Sequence, residues 1–220
     1  MKPVRTLIVS AVFVVIAVGV AVWLYPHMPM RIPTHWDING QPNGYSSRFW
    51  GAAMWPLLIF GLAALTVVLP RISPKGFGME SFAGVFGLMM LVVQGVVLVH
   101  GIAAMLAGAG HAVPMTIIVH LSLGVLLMVL GNYMGKLRRN FFAGIRTPWT
   151  LASEAVWERT HRLAGWLFVL AGVVLVIAAP FHAMRLPLGV VLSACLIPVA
   201  YSYFIYRRLE GRHSSEGDPS

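Results

Sequence analysis

A chain of 220 residues with 58% apolar and only 10% charged side chains cannot clothe itself in polar surface, since soluble domains carry roughly 25% charged residues. That excludes an ordinary soluble domain and makes lipid the solvent for most of the molecule. The net charge of +9 would suit nucleic-acid binding, but the basic residues flank apolar runs, as membrane topology requires, and form no basic domain.

Leu7–Leu24 is an uncharged run of 18 residues behind Lys2 and Arg5. A cleaved signal peptide would have an apolar region of about 7–15 residues ending in small side chains. This run ends instead in Trp23-Leu24-Tyr25-Pro26, an aromatic interface belt followed by a helix stop. It reads as an uncleaved first span. Further apolar runs follow at Phe49–Leu69, Phe82–Leu106, Val113–Met134, Leu163–Phe181 and Pro187–Tyr206. Each is near the ~20 residues that a helix needs to cross ~30 Å of hydrocarbon. Helices are expected because every backbone polar group must be satisfied within its own segment.

The expected fold class is therefore an all-α membrane protein: a six-transmembrane-helix bundle with both termini cytoplasmic, plus one interfacial amphipathic helix. With the N-terminus inside, thirteen Lys and Arg residues fall on the cytoplasmic side and only Arg31, Arg48 and Arg185 opposite. Residues 1–210 read as one polytopic membrane domain, with an outer loop at 26–48 and an inner loop at 135–162. Residues 211–220 read as a disordered polar tail. No internal repeat is visible. Cys195, the single cysteine, lies in an apolar run, so no intrachain disulfide can form.

The outer loop, PHMPMRIPTHWDINGQPNGYSSR, has four prolines that forbid a regular helix. An extended piece over Arg31–Asp37 is expected, then tight turns at Asn39-Gly40 and Asn43-Gly44. Asp37 would anchor the first turn through backbone N–H groups, with His35 and Trp36 packed at the interface. Two other readings stay open. Trp36 and Tyr45 suit stacking against an external ligand, and His35 with Asp37 could hold a metal if His27, His111 or His182 came near.

No Asp, Glu, Lys or Arg lies within a span, which argues against an ion pump or proton-coupled carrier. Gln94, His100, His120 and Asn132 are the strong polar groups at depth. His120, Gly124, Leu127, Gly131 and Gly135 share one face of the fourth span, a stripe suited to close helix contact. Gly87, Leu91, Gln94, Leu98 and Gly101 form a similar stripe in the third. Packing with satisfied polar groups is the plain reading, and a relay between His100 and His120 is the sharper one. Pro198 in the last span reads as a kink.

The inner loop is the longest strongly polar segment, carrying Lys136, Arg138, Arg139, Arg146, Glu154, Glu158, Arg159 and Arg162. Gly144 allows a sharp bend, and Pro148 biases Thr147 to an extended conformation. Leu151–Arg162 reads as the interfacial helix, with Val156, Trp157, Thr160 and Ala164 on one side and Trp149 and Trp157 at headgroup depth. Arg146, apart from the basic cluster, could anchor a lipid phosphate, clamp carbonyls near Asn132 or Asn140, or recognise a protein partner. The loop has no nucleophile with a positioned base, no paired carboxylates and no metal set, so an enzyme is not expected.

The stretch GNYMGKLRRNFFAGIRTPWTL, followed by EAVWERTHRLAG, resembles the signature of the SdpI family of bacterial membrane immunity proteins. The matching residues are Asn132, Asn140, Gly144, Arg146, Thr147, Pro148, Trp149, Thr150, Trp157 and Gly165. The outer segment IPTHWDINGQPNGY resembles the small domain of unknown function that often precedes that signature, through Pro33, His35, Gly40 and Gly44. The resemblance implies a multi-pass plasma-membrane protein that protects its producer from a secreted toxic peptide. It also implies signalling by capture of a cytoplasmic transcriptional repressor. Asn140, Gly144, Arg146, Thr147, Pro148, Trp149 and Trp157 would then face the inner partner, and His35, Trp36, Asp37, Gly40 and Tyr45 the external ligand. Lipid is the remaining partner, and no cofactor is expected. The alternative is a small-solute transporter or flux-controlling protein using Gln94, His100 and His120.

Overall fold

A computed structural model describes residues 3–37, 39–181 and 185–216. The described chain is helical apart from one hairpin, in the order α1 (Pro3–Leu24), β1 (Arg31–Trp36), β2 (Pro42–Ser47), α2 (Arg48–Arg71), α3 (Ala83–Gly108), α4 (Met115–Met134), α5 (Pro148–Ala152), α6 (Glu154–Ala178) and α7 (Arg185–Glu216). Six of these helices (α1, α2, α3, α4, α6 and α7) are long and apolar enough to cross a membrane. The expected six-helix membrane bundle is what forms.

The bundle divides into two helix groups. α1, α2 and α3 pack on one another, α4 packs on α6 and α6 on α7, and α3 against α4 joins the groups. In the second group glycines set the spacing. A Cβ at Gly131 would lie 2.6 Å from the Gly165 carbonyl oxygen, and one at Gly172 2.5 Å from that of Gly124. The Gly124/Gly131 stripe thus brings the α4 backbone against α6, as its sequence spacing suggested. Around it lies an apolar core including Leu127, Met134, Trp157, Ala164, Phe168 and Leu175.

Three expectations are corrected. The amphipathic segment near Leu151–Arg162 is not a free-standing interfacial helix. Ser153 breaks it from α5 and caps α6 by accepting the Val156 amide hydrogen, and Glu154–Arg162 then continues into the fifth span. Asn43-Gly44 forms no turn; both residues sit inside β2. α7 runs on to Glu216, past the start of the supposed tail, because only Gly211 interrupts a sequence otherwise compatible with helix. The helix also passes Pro198 without a break.

Candidate functional site

Polar structure gathers at the two ends of the bundle. At one end the β1–β2 hairpin is pinned by Ile32, which is fully buried and meets Gly51 on α2 and Gly108 on α3. The strands are antiparallel, pairing Arg31 with Ser47 and Pro33 with Tyr45, and the ladder is irregular around His35. Asp37 closes the turn as expected. Its Oδ1 accepts the amide hydrogens of Asn39 at 2.8 Å and Gln41 at 2.9 Å, and its own N–H donates to the Gln41 carbonyl at 2.8 Å. The Gln41 amide, helped by Asn39, holds the Asp37 carboxyl below its ordinary value. Gly40 has φ +76°, a left-handed position, and a Cβ there would meet Thr116 at the start of α4.

His35 makes no hydrogen bond to Asp37 among the described residues, although, after the Gln41 amide, its charge helps to lower the Asp37 carboxyl. Its Nδ1 is 2.6 Å from Asn43 Oδ1, donating to it, and Gly44 lies so close to its Cβ that β2 tolerates no side chain there. That packing explains why Asn43-Gly44 is strand and not turn. Tyr45 is exposed and Trp36 half-buried on the hairpin. Among the described residues no three His, Cys, Asp or Glu side chains group to hold a metal. His182, one of the suggested helpers, lies outside them.

At the opposite end residues 135–153 fold back on themselves. Asn140, fully buried, uses its whole amide: Oδ1 accepts from Phe142 N–H at 2.8 Å and Ala143 N–H at 2.7 Å, and Nδ2 donates to the carbonyls of Arg138 and Ala143. Gly144 follows at φ +101°, and a Cβ there would collide with the His161 ring. His161 is fully engaged, with Nδ1 donating to the Trp157 carbonyl at 2.8 Å and Nε2 accepting from Ile145 N–H at 3.0 Å. That pair of bonds requires the neutral ring protonated at Nδ1. Its ring stacks on Trp157, whose indole N–H donates to the Leu137 carbonyl at 2.8 Å.

The Thr147-Pro148-Trp149-Thr150 run builds α5 through a capping box in which each threonine hydroxyl accepts the other's backbone N–H. Pro148 fills the first helical position, where a missing N–H costs nothing. Trp149 donates its indole N–H to Ser202 Oγ on α7 and meets Tyr203 edge-on. Arg139 reaches the carbonyls of Leu151 and Ala152 at the end of α5. Arg146 is exposed and donates to the Phe141 carbonyl at 2.8 Å, so its clamp is on the loop beside Asn140 and not on Asn132. Asn132 is exposed on α4.

Of the inner residues singled out in the sequence, Asn140, Gly144, Arg146, Thr147, Pro148, Trp149 and Thr150 lie in this loop and Trp157 bonds to it, whereas Gly165 packs on Gly131. His161 and Ser202 were missed. His161 shares its helical face with Trp157 and Ala164, a periodic hint available in the sequence. Ser202 lies more than fifty residues away, and no local pattern marks it.

The intramembrane histidines do not meet. His100 Nε2 lies 3.1 Å from Ser122 Oγ, while His120, two residues from Ser122 on α4, shares the face of Gly124 that packs on α6. Residues two apart on a helix face opposite ways. Among the described residues His120 Nδ1 bonds to the Thr116 carbonyl of its own helix.

Six spanning helices, with a hairpin over one end and a basic, self-bonded loop at the other, define a multi-pass α-helical membrane protein. Residues 136–202 match the SdpI/YfhL protein family and residues 12–60 match a domain of unknown function, DUF1648. The chain is 26% identical over 210 residues to the immunity protein SdpI of Bacillus subtilis (strain 168), covering 93% of this chain and 97% of that protein. No solved structure matches. The two matched regions fall one in each helix group, with α3 and α4 in neither: DUF1648 spans most of α1, the hairpin and the first half of α2, and the SdpI region spans most of the 135–153 loop, α5, α6 and most of α7.

Proposed function

We propose that this protein is a membrane immunity protein that protects its cell from a secreted toxic peptide. The observation that carries the reading is its similarity, across nearly the whole of both chains, to the immunity protein SdpI. Both termini and the 135–153 loop lie in the cytoplasm in this reading, because thirteen of sixteen basic residues belong to that side. The hairpin then faces the medium, offering Trp36 and Tyr45 to the peptide near His35, Asp37 and Gly40. The 135–153 loop offers Arg146 and the Trp149 edge to a cytoplasmic repressor.

Deleting the gene in its own strain and challenging with that strain's conditioned medium tests protection. Loss of growth, restored from a plasmid, supports immunity; unchanged growth of the deletion strain in medium that kills a sensitive strain refutes it. Orientation has its own test. A cysteine at Thr147 in a Cys195→Ser background should escape an impermeant maleimide on intact cells and react once they are opened.

A further inference from the structure

The α1–α3 group holds a set of buried polar atoms with no hydrogen-bond partner among the described residues: Ser10 Oγ, both amide atoms of Gln94, and Trp55 Nε1. They stand on three helices whose faces converge. On α3 the stripe Gly87, Leu91, Gln94, Leu98, Gly101 meets α1 through Gly87, where a Cβ would touch Thr6. It meets α2 through Gly101, where a Cβ would lie 2.7 Å from the Trp55 ring. Leu98, one turn beyond Gln94, packs with Ala17 of α1 and Ile59 of α2. Ser10 lies one turn beyond Thr6 on the α1 face that also buries Ala17, and Ser10 and Gln94 are both almost wholly enclosed. α1 and α3 start at the same end, so the order along the bundle is Thr6, Ser10, Gln94, Trp55. From the level of Gly87 to that of Gly101 the rise is about 21 Å at 1.5 Å per residue.

Such atoms are costly when unpaired in hydrocarbon, where no lipid group can serve them. The set is also chemically mixed: the Gln94 amide donates and accepts, the Ser10 hydroxyl does either, and the Trp55 indole only donates. A small molecule that both donates and accepts completes it. At the Thr6 end a cavity of about 470 Å³ opens between α1, α2 and α3, lined by Thr6, Thr66, Gly87, Arg71 and Glu80 among others. It gives water a way in.

We propose that the junction of α1, α2 and α3 is a hydrated seam below the Leu98 layer, in which ordered water bridges Ser10 and Gln94 and enters from the Thr6 cavity.

Thiols react as thiolates, which form in water and not in lipid. In the full-length Cys195→Ser protein in nanodiscs, Ser10→Cys and Gln94→Cys should react with a small methanethiosulfonate about tenfold or more faster than Val15→Cys, which faces outward from α1 (70% exposed) at similar depth. Rates equal to that of Val15→Cys overturn the proposal. If the cysteine variants do not fold, hydroxyl-radical footprinting of the unaltered protein decides. Leu91, between Gly87 and Gln94 on the α3 stripe, oxidised faster than the outward-facing Leu57 supports the seam, and Leu91 oxidised no faster overturns it.

Discussion

His161 on α6 accepts the amide hydrogen of Ile145 at 3.0 Å, sixteen residues earlier in the chain, and the residue between that amide and the loop, Gly144, is pressed against the same imidazole. Loop and helix are thereby locked face to face. Gly144→Ala meets two obstacles, a φ of +101° that L side chains rarely adopt and the ring of His161. Backbone strain of this kind costs about 1–3 kcal/mol, and the steric conflict adds to it. Thermal unfolding in detergent should fall clearly below wild type. An unchanged midpoint would mean that the loop does not depend on this contact.

Asn140 and Arg146 separate holding the loop from using it. Asn140→Ala strips partners from two N–H groups and two carbonyls inside the fold, each worth ~1–3 kcal/mol when left unpaired and buried. The 135–153 loop should then become open to protease. Arg146 is exposed and, among the described residues, donates to the Phe141 carbonyl, so Arg146→Ala should change stability by no more than about 0.5–1 kcal/mol. If Arg146 recognises a repressor, its variant keeps protection from conditioned medium yet no longer induces its own operon. Full induction in that variant leaves the side chain with its loop clamp alone.

The tie between Trp149 and Ser202 couples the loop to α7. Ser202 Oγ accepts the indole N–H and donates to the Val199 carbonyl at 2.6 Å. A double-mutant cycle of Trp149→Phe and Ser202→Ala should return a coupling of about 0.5–1.5 kcal/mol, the net worth of one such hydrogen bond. Strict additivity would show that the two side chains act apart.

The glycine contact between α4 and α6 makes a steric prediction. Gly131→Ala would gain about 1 kcal/mol in helix propensity. It would also drive a methyl to 2.6 Å from the Gly165 carbonyl oxygen, which no rotamer relieves. Overpacking of this order costs ~1–3 kcal/mol, so the variant should unfold at lower temperature, whereas Gly135→Ala, with nothing near its Cβ, should not. Equal behaviour of the two would sink the argument.

At the hairpin, pH offers a check. Asp37 is held below its ordinary carboxyl value of 3.8, chiefly by the Gln41 amide. A depressed carboxyl stabilises the fold above that ordinary value and loses the contribution as pH falls through the lower, folded one. Amide exchange at Asn39 and Gln41 should therefore stay slow, relative to the intrinsic rate, at neutral pH and quicken only below 3.8. Asp37→Ala should show the quick exchange at every pH.

The sequence by itself determined the number of spans, their approximate ends and the α4 stripe, because apolar run length and helical period are local properties that lipid enforces. It also revealed that Asp37 would clip a turn, since an Asx side chain reaches backbone amides only two to four residues away. The tertiary structure alone decided that Asn43-Gly44 is strand, because that depends on His35 across the ladder. It alone joined Trp149 to Ser202 and Ile145 to His161, contacts set by how helices dock. It likewise parted His100 from His120, since which neighbour each helical face meets is written in the packing and not in the spacing.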